Sequence, residues 1–144
     1  MKMKGKKKIR KKVIVATGKR KRAIARARIR AGKERIVINS KPLDVWGDEA
    51  LQLWIKEPIV LAGDAVKGLD ISVNVKGGGI VGQSEAARVA IARGLVEFLK
   101  DKKLKERYMA YDRNLLVYDY RRTEPHKPSR SRKGARRHKQ RSKR

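Results

Sequence analysis

Apolar and polar positions alternate with period two along four stretches of this chain and recur at helical spacing along three others. Val13 to Thr17 is a short β run that stops at Gly18, and Lys19-Arg20-Lys21-Arg22 reads as a basic turn. From Ala23 to Arg30 the alternation is strict. Arg22, Arg26, Arg28 and Arg30, with Ile24, fall on one face of a strand, while Ala25, Ala27 and Ile29 fall on the other. Gly32-Lys33 then turns the chain into Arg35–Asn39, so the second and third strands are expected to form a hairpin. Asp70–Lys76 alternates as a fourth strand and ends in the glycine run Gly77-Gly78-Gly79.

The helical pattern is clearest after those glycines. Val81-Gly82-Gln83-Ser84 opens a long amphipathic helix that reaches Leu99, with Ala87, Ile91, Gly94 and Phe98 on one buried stripe. Glu85, Arg88, Arg93 and Glu97 fall towards the other side. Asp48 is a plausible N-cap for Glu49–Ile55, where Leu51, Trp54 and Ile55 make an apolar stripe, and Pro58 ends that helix or starts a short one over Ile59–Ala62. The spacing of Trp46 and Trp54 in an apolar setting favours the core over base stacking. Lys102–Ala110 reads as a last short helix with Leu104, Tyr108 and Met109 apolar, and Leu115-Leu116-Val117 as a cluster that pins the chain back onto the body.

Charge changes this picture more than length does. The 144 residues carry a formal net charge of +27, and one domain with long tails accounts for them. Residues 1–35 hold 17 lysines and arginines against one acid, Glu34, and residues 121–144 hold 12 against Glu124. Between them residues 36–120 balance 12 basic against 12 acidic residues. A neutral body with cationic ends expects a polyanionic partner. No apolar run approaches the roughly 20 residues of a membrane span, and the N-terminus lacks a signal-peptide core. The absence of cysteine removes disulfides, thiol chemistry and zinc fingers. A strand with arginine at every other position would be destabilised by its own charges unless phosphates met them. That row is the most specific local sign of nucleic acid.

Enzyme chemistry finds little footing. Gly77-x-x-x-x-Gly82-Gln83-Ser84 fits a phosphate-binding loop except at the lysine that reaches the outer phosphates, where Gln83 stands. The glycines then serve helix–sheet packing alone, or packing together with a polynucleotide phosphate at the helix start. His126 and His138 lie in the basic tail without convergent partners, so no metal site and no catalytic site is expected. Asp70 and Asp112 read as a strand-start and a turn residue. Seven aromatic residues, none in a base-stacking string, leave backbone recognition by Arg and Lys. From Tyr120 onward the chain reads as an extended tail, and 24 residues from Arg121 to Arg144 stretch to about 80 Å.

Several motifs in register carry a resemblance. Thr17-Gly18-Lys19-Arg20-Lys21 with Ala23-Ile24-Ala25-Arg26-Ala27, Gly77-Gly78-Gly79-x-x-Gly82-Gln83, Ala90-Ile91-Ala92-Arg93 and the terminal Ser142-Lys143-Arg144 resemble the small-subunit ribosomal protein S9 family. Arg121-Arg122-Thr123-Glu124-Pro125 is similar to its archaeal and eukaryotic branch, whose members often carry tyrosine where Lys143 stands. The lysine-rich residues 1–12 fall outside the common pattern. The resemblance implies an α+β fold: a four-stranded sheet covered by helices on one side, with a left-handed β-α-β crossover of the ribosomal protein S5 domain 2-like kind. The division expected is a basic extension over 1–12, an rRNA-binding domain over 13–111 and an extended basic tail over 112–144.

The implied role is that of a structural constituent of the small ribosomal subunit in the cytoplasm, without cofactor. Its implied partners are rRNA of the subunit head (the 3′ major domain), P-site tRNA and neighbouring head proteins, with no membrane. Carried onto this chain, the rRNA-binding residues would be Lys19, Arg20, Lys21, Arg22, Arg26, Arg28, Arg30, Gly78, Gly79, Gln83, Arg121, Arg122, Arg130, Arg132, Arg136 and Arg137. Lys143 and Arg144 would contact the P-site tRNA. A free nucleic-acid-compacting protein is the rival reading, and a nucleotide-binding enzyme a distant third.

Overall fold

The chain folds as one mixed five-stranded sheet with three α-helices, in a computed structural model that describes residues 12–123. Strands β1 (Val13–Arg20) and β2 (Ala23–Ala31) form an antiparallel hairpin around the two residues Lys21-Arg22. Strand β3 (Ile36–Ile38) pairs with the two-residue β4 (Lys41–Pro42), and a 3₁₀ turn over Leu43–Val45 leads to α1 (Glu49–Ala62). Strand β5 (Leu69–Lys76) precedes α2 (Ile80–Leu99), α3 (Lys102–Tyr111) and a final 3₁₀ turn, Arg113–Leu115. The strand order is β1-β2-β5-β3-β4.

The α+β class is as expected, but the sheet has five strands, because Lys41-Pro42, read as a break, pairs with Val37 and Ile38. The β1 ladder also runs past Gly18 to Arg20, so the turn is Lys21-Arg22 alone, with Lys21 in the left-handed region at φ 52°. The expected β2–β3 hairpin does not form. Strand β5 inserts between them, antiparallel to β2 and parallel to β3. The reason lies in the loop after β2, which bonds to β5 rather than back to β2. The carboxylate of Asp70 accepts the N–H groups of Lys33 (2.7 Å) and Arg35 (3.2 Å), and Gly32 N–H reaches Gly68 O at 2.8 Å. Glu34 accepts from Gly68 N–H at 2.9 Å. The loop is thereby carried across the end of β5 to its far edge.

The core lies between one sheet face and the helices. Ala23, Ala25, Ala27 and Ile29 of β2 and Ile71, Val73 and Val75 of β5 point into it, where Ala86, Ala87, Ala90, Ile91 and Leu95 of α2 meet them. Alanines on both sides let α2 sit close to β1 and β2. At Gly18 the approach is closest, since a Cβ there would lie 2.2 Å from the carbonyl oxygen of Ala86. Helix α1 continues through Pro58, which is buried together with Leu51, Ile55 and Ala62. Packing of that stripe outweighs the backbone hydrogen bond that proline removes. Trp46 is in the core, but Trp54 sits off the stripe and is 41% exposed, contrary to the expectation for it. Met109 is exposed as well, because Leu104 and Tyr108 already occupy the inward positions of α3. Leu115 is fully buried and Leu116 packs beside the core, as the last apolar cluster suggested.

Candidate nucleic-acid interface

The sheet face away from the helices is built by register. Residues directly opposite in antiparallel strands share a face. The pairing sets Val13, Arg30 and Asp70 in one row, Val15, Arg28 and Ser72 in the next, and Thr17, Arg26 and Asn74 in a third. Lys19, Ile24 and Lys76 complete it near the glycine turn. Successive arginines stand about 7 Å apart along β2. The period-two reading of this strand therefore holds, with Arg26, Arg28 and Arg30 all exposed.

Their electrostatic surroundings differ. Arg30 lies 3.6 Å from Asp70, while among the described residues neither Arg26 nor Arg28 meets a carboxylate within ion-pair distance. Asp70 is itself committed to the loop. The N–H groups of Arg35 and Lys33, followed by the charges of Arg30 and Arg35, hold its carboxyl below the ordinary aspartate range. It is a capping carboxylate with no free role as an acid.

The basic turn and the glycine turn come together at the end of the sheet. Gly77 and Gly78, at φ 79° and 66°, pass so close to the hairpin that a Cβ on Gly77 would lie 2.6 Å from the carbonyl oxygen of Arg22. Only glycine fits there. Beside this contact Lys21, Arg22, Gly78, Gly79, Gly82 and Thr123 line an open cleft of about 490 Å³ that also includes Arg20 and Glu85. Gln83, standing where a phosphate-loop lysine would be, turns back and donates its side-chain N–H to Gly77 O at 3.1 Å. It braces the turn.

On the helix side two arginines are held by carboxylates. Arg88 of α2 bonds Asp112 at 3.1 Å and meets Glu57 of α1. Arg20 leaves the row of free cations, because its guanidinium lies between Glu85 and Asp119. Arg121 bonds Asp119 at 2.7 Å, and Arg122 stacks over the Tyr118 ring at 5.1 Å. No sequence spacing announces the pairs of Arg20 and Arg88, since they join β1, α1, α2 and the segment after α3. Ser72, Asn74 and Lys76 on the open face also escaped notice, although the alternation of Asp70–Lys76 places them there.

Among the described residues no cluster of His, Cys, Asp or Glu could hold a metal ion, and no helix is long and apolar enough to cross a membrane. The expected rRNA-binding residues Arg130, Arg132, Arg136 and Arg137, the expected tRNA-contacting residues Lys143 and Arg144, and both histidines lie outside the described residues.

Comparison with known proteins points to one family. A family model described as "Ribosomal protein S9/S16" matches residues 18–144. Proteins named small ribosomal subunit protein uS9 from two Methanococcus maripaludis strains are each 48% identical over 131 residues, covering 91% of this chain and 98% of theirs. The protein of the same name from Methanococcus vannielii is 47% identical over the same length.

Proposed function

This chain belongs to the ribosomal protein S9/S16 family, and we propose that it works within the small ribosomal subunit as an RNA-anchored body carrying a long cationic tail. It is a structural protein of translation and not an enzyme. The body docks on rRNA of the subunit head, in the 3′ major domain, with neighbouring head proteins around it. Lys19, Lys21, Arg22, Arg26, Arg28 and Arg30 meet phosphates, and the Gly78–Gln83 turn offers backbone N–H groups beside them. Arg20 contributes by holding the fold at that edge. The tail beginning at Arg121 and Arg122 neutralises phosphates through Arg130, Arg132, Arg136 and Arg137, and brings Lys143 and Arg144 to the P-site tRNA. The β3–α1–β5 connection is where the left-handed crossover of the family would fall.

The observation that carries this reading is the row Arg26 and Arg28, exposed at every other position of one strand on an open sheet face, with no carboxylate within ion-pair distance among the described residues. Like charges side by side on one strand cost stability, and phosphates set against them offset that cost. If about ten cations meet phosphates, log K falls against log salt with a slope of about −7 to −9.

Sedimentation of the tagged full chain from cell lysate tests the assignment. One stoichiometric copy on the small subunit, surviving moderate salt, is expected. Diffuse, salt-labile spread over bulk nucleic acid would replace it with a compacting protein. Deleting Ser142, Lys143 and Arg144 is expected to leave subunit association intact and to weaken P-site tRNA retention, and unchanged tRNA affinity would remove the tail-tip contact.

A further inference from the structure

Residues 112–119 form a strap laid against α2 and the end of β1. Asp112 and Asp119 are the only acidic residues between Arg107 and Thr123. Each meets an arginine of the body: Asp112 bonds Arg88 at 3.1 Å, and Asp119 pairs with Arg20. Both arginine side chains are largely buried, at 16% and 18% exposure, and the Asp119 side chain is at 13%. Between the two pairs Leu115 is buried completely. Asp112 also caps the 3₁₀ turn by accepting Asn114 N–H at 2.9 Å, which fixes the direction of the strap as it leaves α3. Beyond it Asp119 holds Arg121, and Thr123 lies at the cleft lined by Lys21, Arg22 and Gly78.

We propose that Asp119, with Asp112, is a positioning residue: the two carboxylates dock the strap on Arg20 and Arg88 in the free protein. They thereby fix where the basic tail leaves the body, beside the Lys21-Arg22 turn, before any RNA is present. Two net-positive segments, residues 1–35 and 121–144, would otherwise repel each other at that point. Two acids set against Arg20 and Arg88, which Glu85 and Glu57 also flank, put attraction in place of repulsion where the tail begins. Partly buried pairs are also screened less by salt than exposed ones, so the docking outlasts conditions that weaken surface pairs. A tail rooted at a defined point meets its binding groove at a higher effective concentration than one rooted loosely. That last benefit rests on the tail reading above, whereas the docking itself does not.

The native sequence lacks cysteine, so spin labels can be placed cleanly at Thr123→Cys and Val60→Cys in the full chain without RNA. Pulsed dipolar spectroscopy is expected to give one narrow distance distribution. Adding Asp112→Asn and Asp119→Asn should at least double its width, Asp119→Glu should keep it narrow, and circular dichroism should keep its folded signature throughout. Should the double variant not fold, Asp119→Asn alone takes its place and is expected to broaden the same distance. A distribution already broad with both aspartates present, or one equally narrow after the Asn substitutions, would overturn the proposal. Because no RNA is in the sample, failure of the ribosomal reading cannot produce either result.

Discussion

The hydroxyl of Tyr108 on α3 donates to the carbonyl oxygen of Pro58 in the middle of α1, 2.5 Å away, with the tyrosine ring fully buried. The carbonyl that proline's missing N–H leaves unserved is that of Trp54, one turn earlier, so the tyrosine adds a contact and does not replace the lost one. It locks α3 against the interior of α1. Replacing Tyr108 by Phe keeps the ring and loses the hydrogen bond, and should cost about 1 kcal/mol in urea unfolding. Tyr108→Ala should cost about 3–5 kcal/mol through the cavity.

The same hydroxyl makes an alkaline prediction. Burial pushes its pKa above the ordinary tyrosine value of 10.0. Folding therefore favours the neutral form, and the stability it contributes is fully present below pH 10 and lost as pH rises beyond it. The advantage of the parent over Tyr108→Phe should begin to shrink as pH rises past 10 and keep shrinking to about pH 12. A constant difference across that range would show that the hydroxyl does not titrate as its burial requires.

Asp70 acts at the acid end. Its lowered pKa means that its contribution is present above the ordinary value of 3.8 and is lost as pH falls through the lower folded value. Asp70→Asn should be less stable than the parent at pH 7 and should converge with it in strong acid, measured by unfolding at fixed urea. The loop over Gly32–Arg35 should lose amide protection from hydrogen exchange first, because two of its N–H groups bond that carboxylate.

Gly18 and Gly94 both touch the layer between sheet and α2, yet they should respond differently to alanine. A Cβ on Gly18 would lie 2.2 Å from Ala86 O and 2.5 Å from Ala90 N, both backbone atoms that cannot step aside. A Cβ on Gly94 would lie 2.7 Å from Cδ1 of Ile29, the free end of a side chain. Gly18→Ala should cost about 3 kcal/mol or more and Gly94→Ala about 1 kcal/mol, in the range of overpacked cores. Thermal unfolding of the two variants side by side checks the order.

Arginines of the two surfaces should separate by assay. Removing Arg26, Arg28 and Arg30 together should reduce the salt slope of binding to small-subunit RNA by about 2, at about 0.7 per phosphate contact on a single strand. Stability should change little. Arg88→Ala should leave the slope in place but lower stability by about 1–2 kcal/mol, since Glu57 and Asp112 lose their partner while staying partly solvated. Filter binding across a salt series and calorimetry of the same samples decide between these outcomes.

Local pattern in the sequence determined the two faces of β2, the long amphipathic α2 behind its glycine turn, the burial of Leu115 and the segregation of charge to the ends. Each depends on neighbours within a few residues, or on composition, so it can be read without knowing what packs against what. Tertiary structure alone decided that β5 inserts between β2 and β3, because the Gly32–Arg35 loop is bound by Asp70, some 35 positions later in the chain. It also decided that Pro58 stays inside α1, where burial of a whole stripe outweighs one missing donor. Arg20 and Arg88 look like any other cations in the sequence. What neutralises them is the three-dimensional placement of Glu57, Glu85, Asp112 and Asp119, since a charge is free or neutralised according to what stands beside it in space.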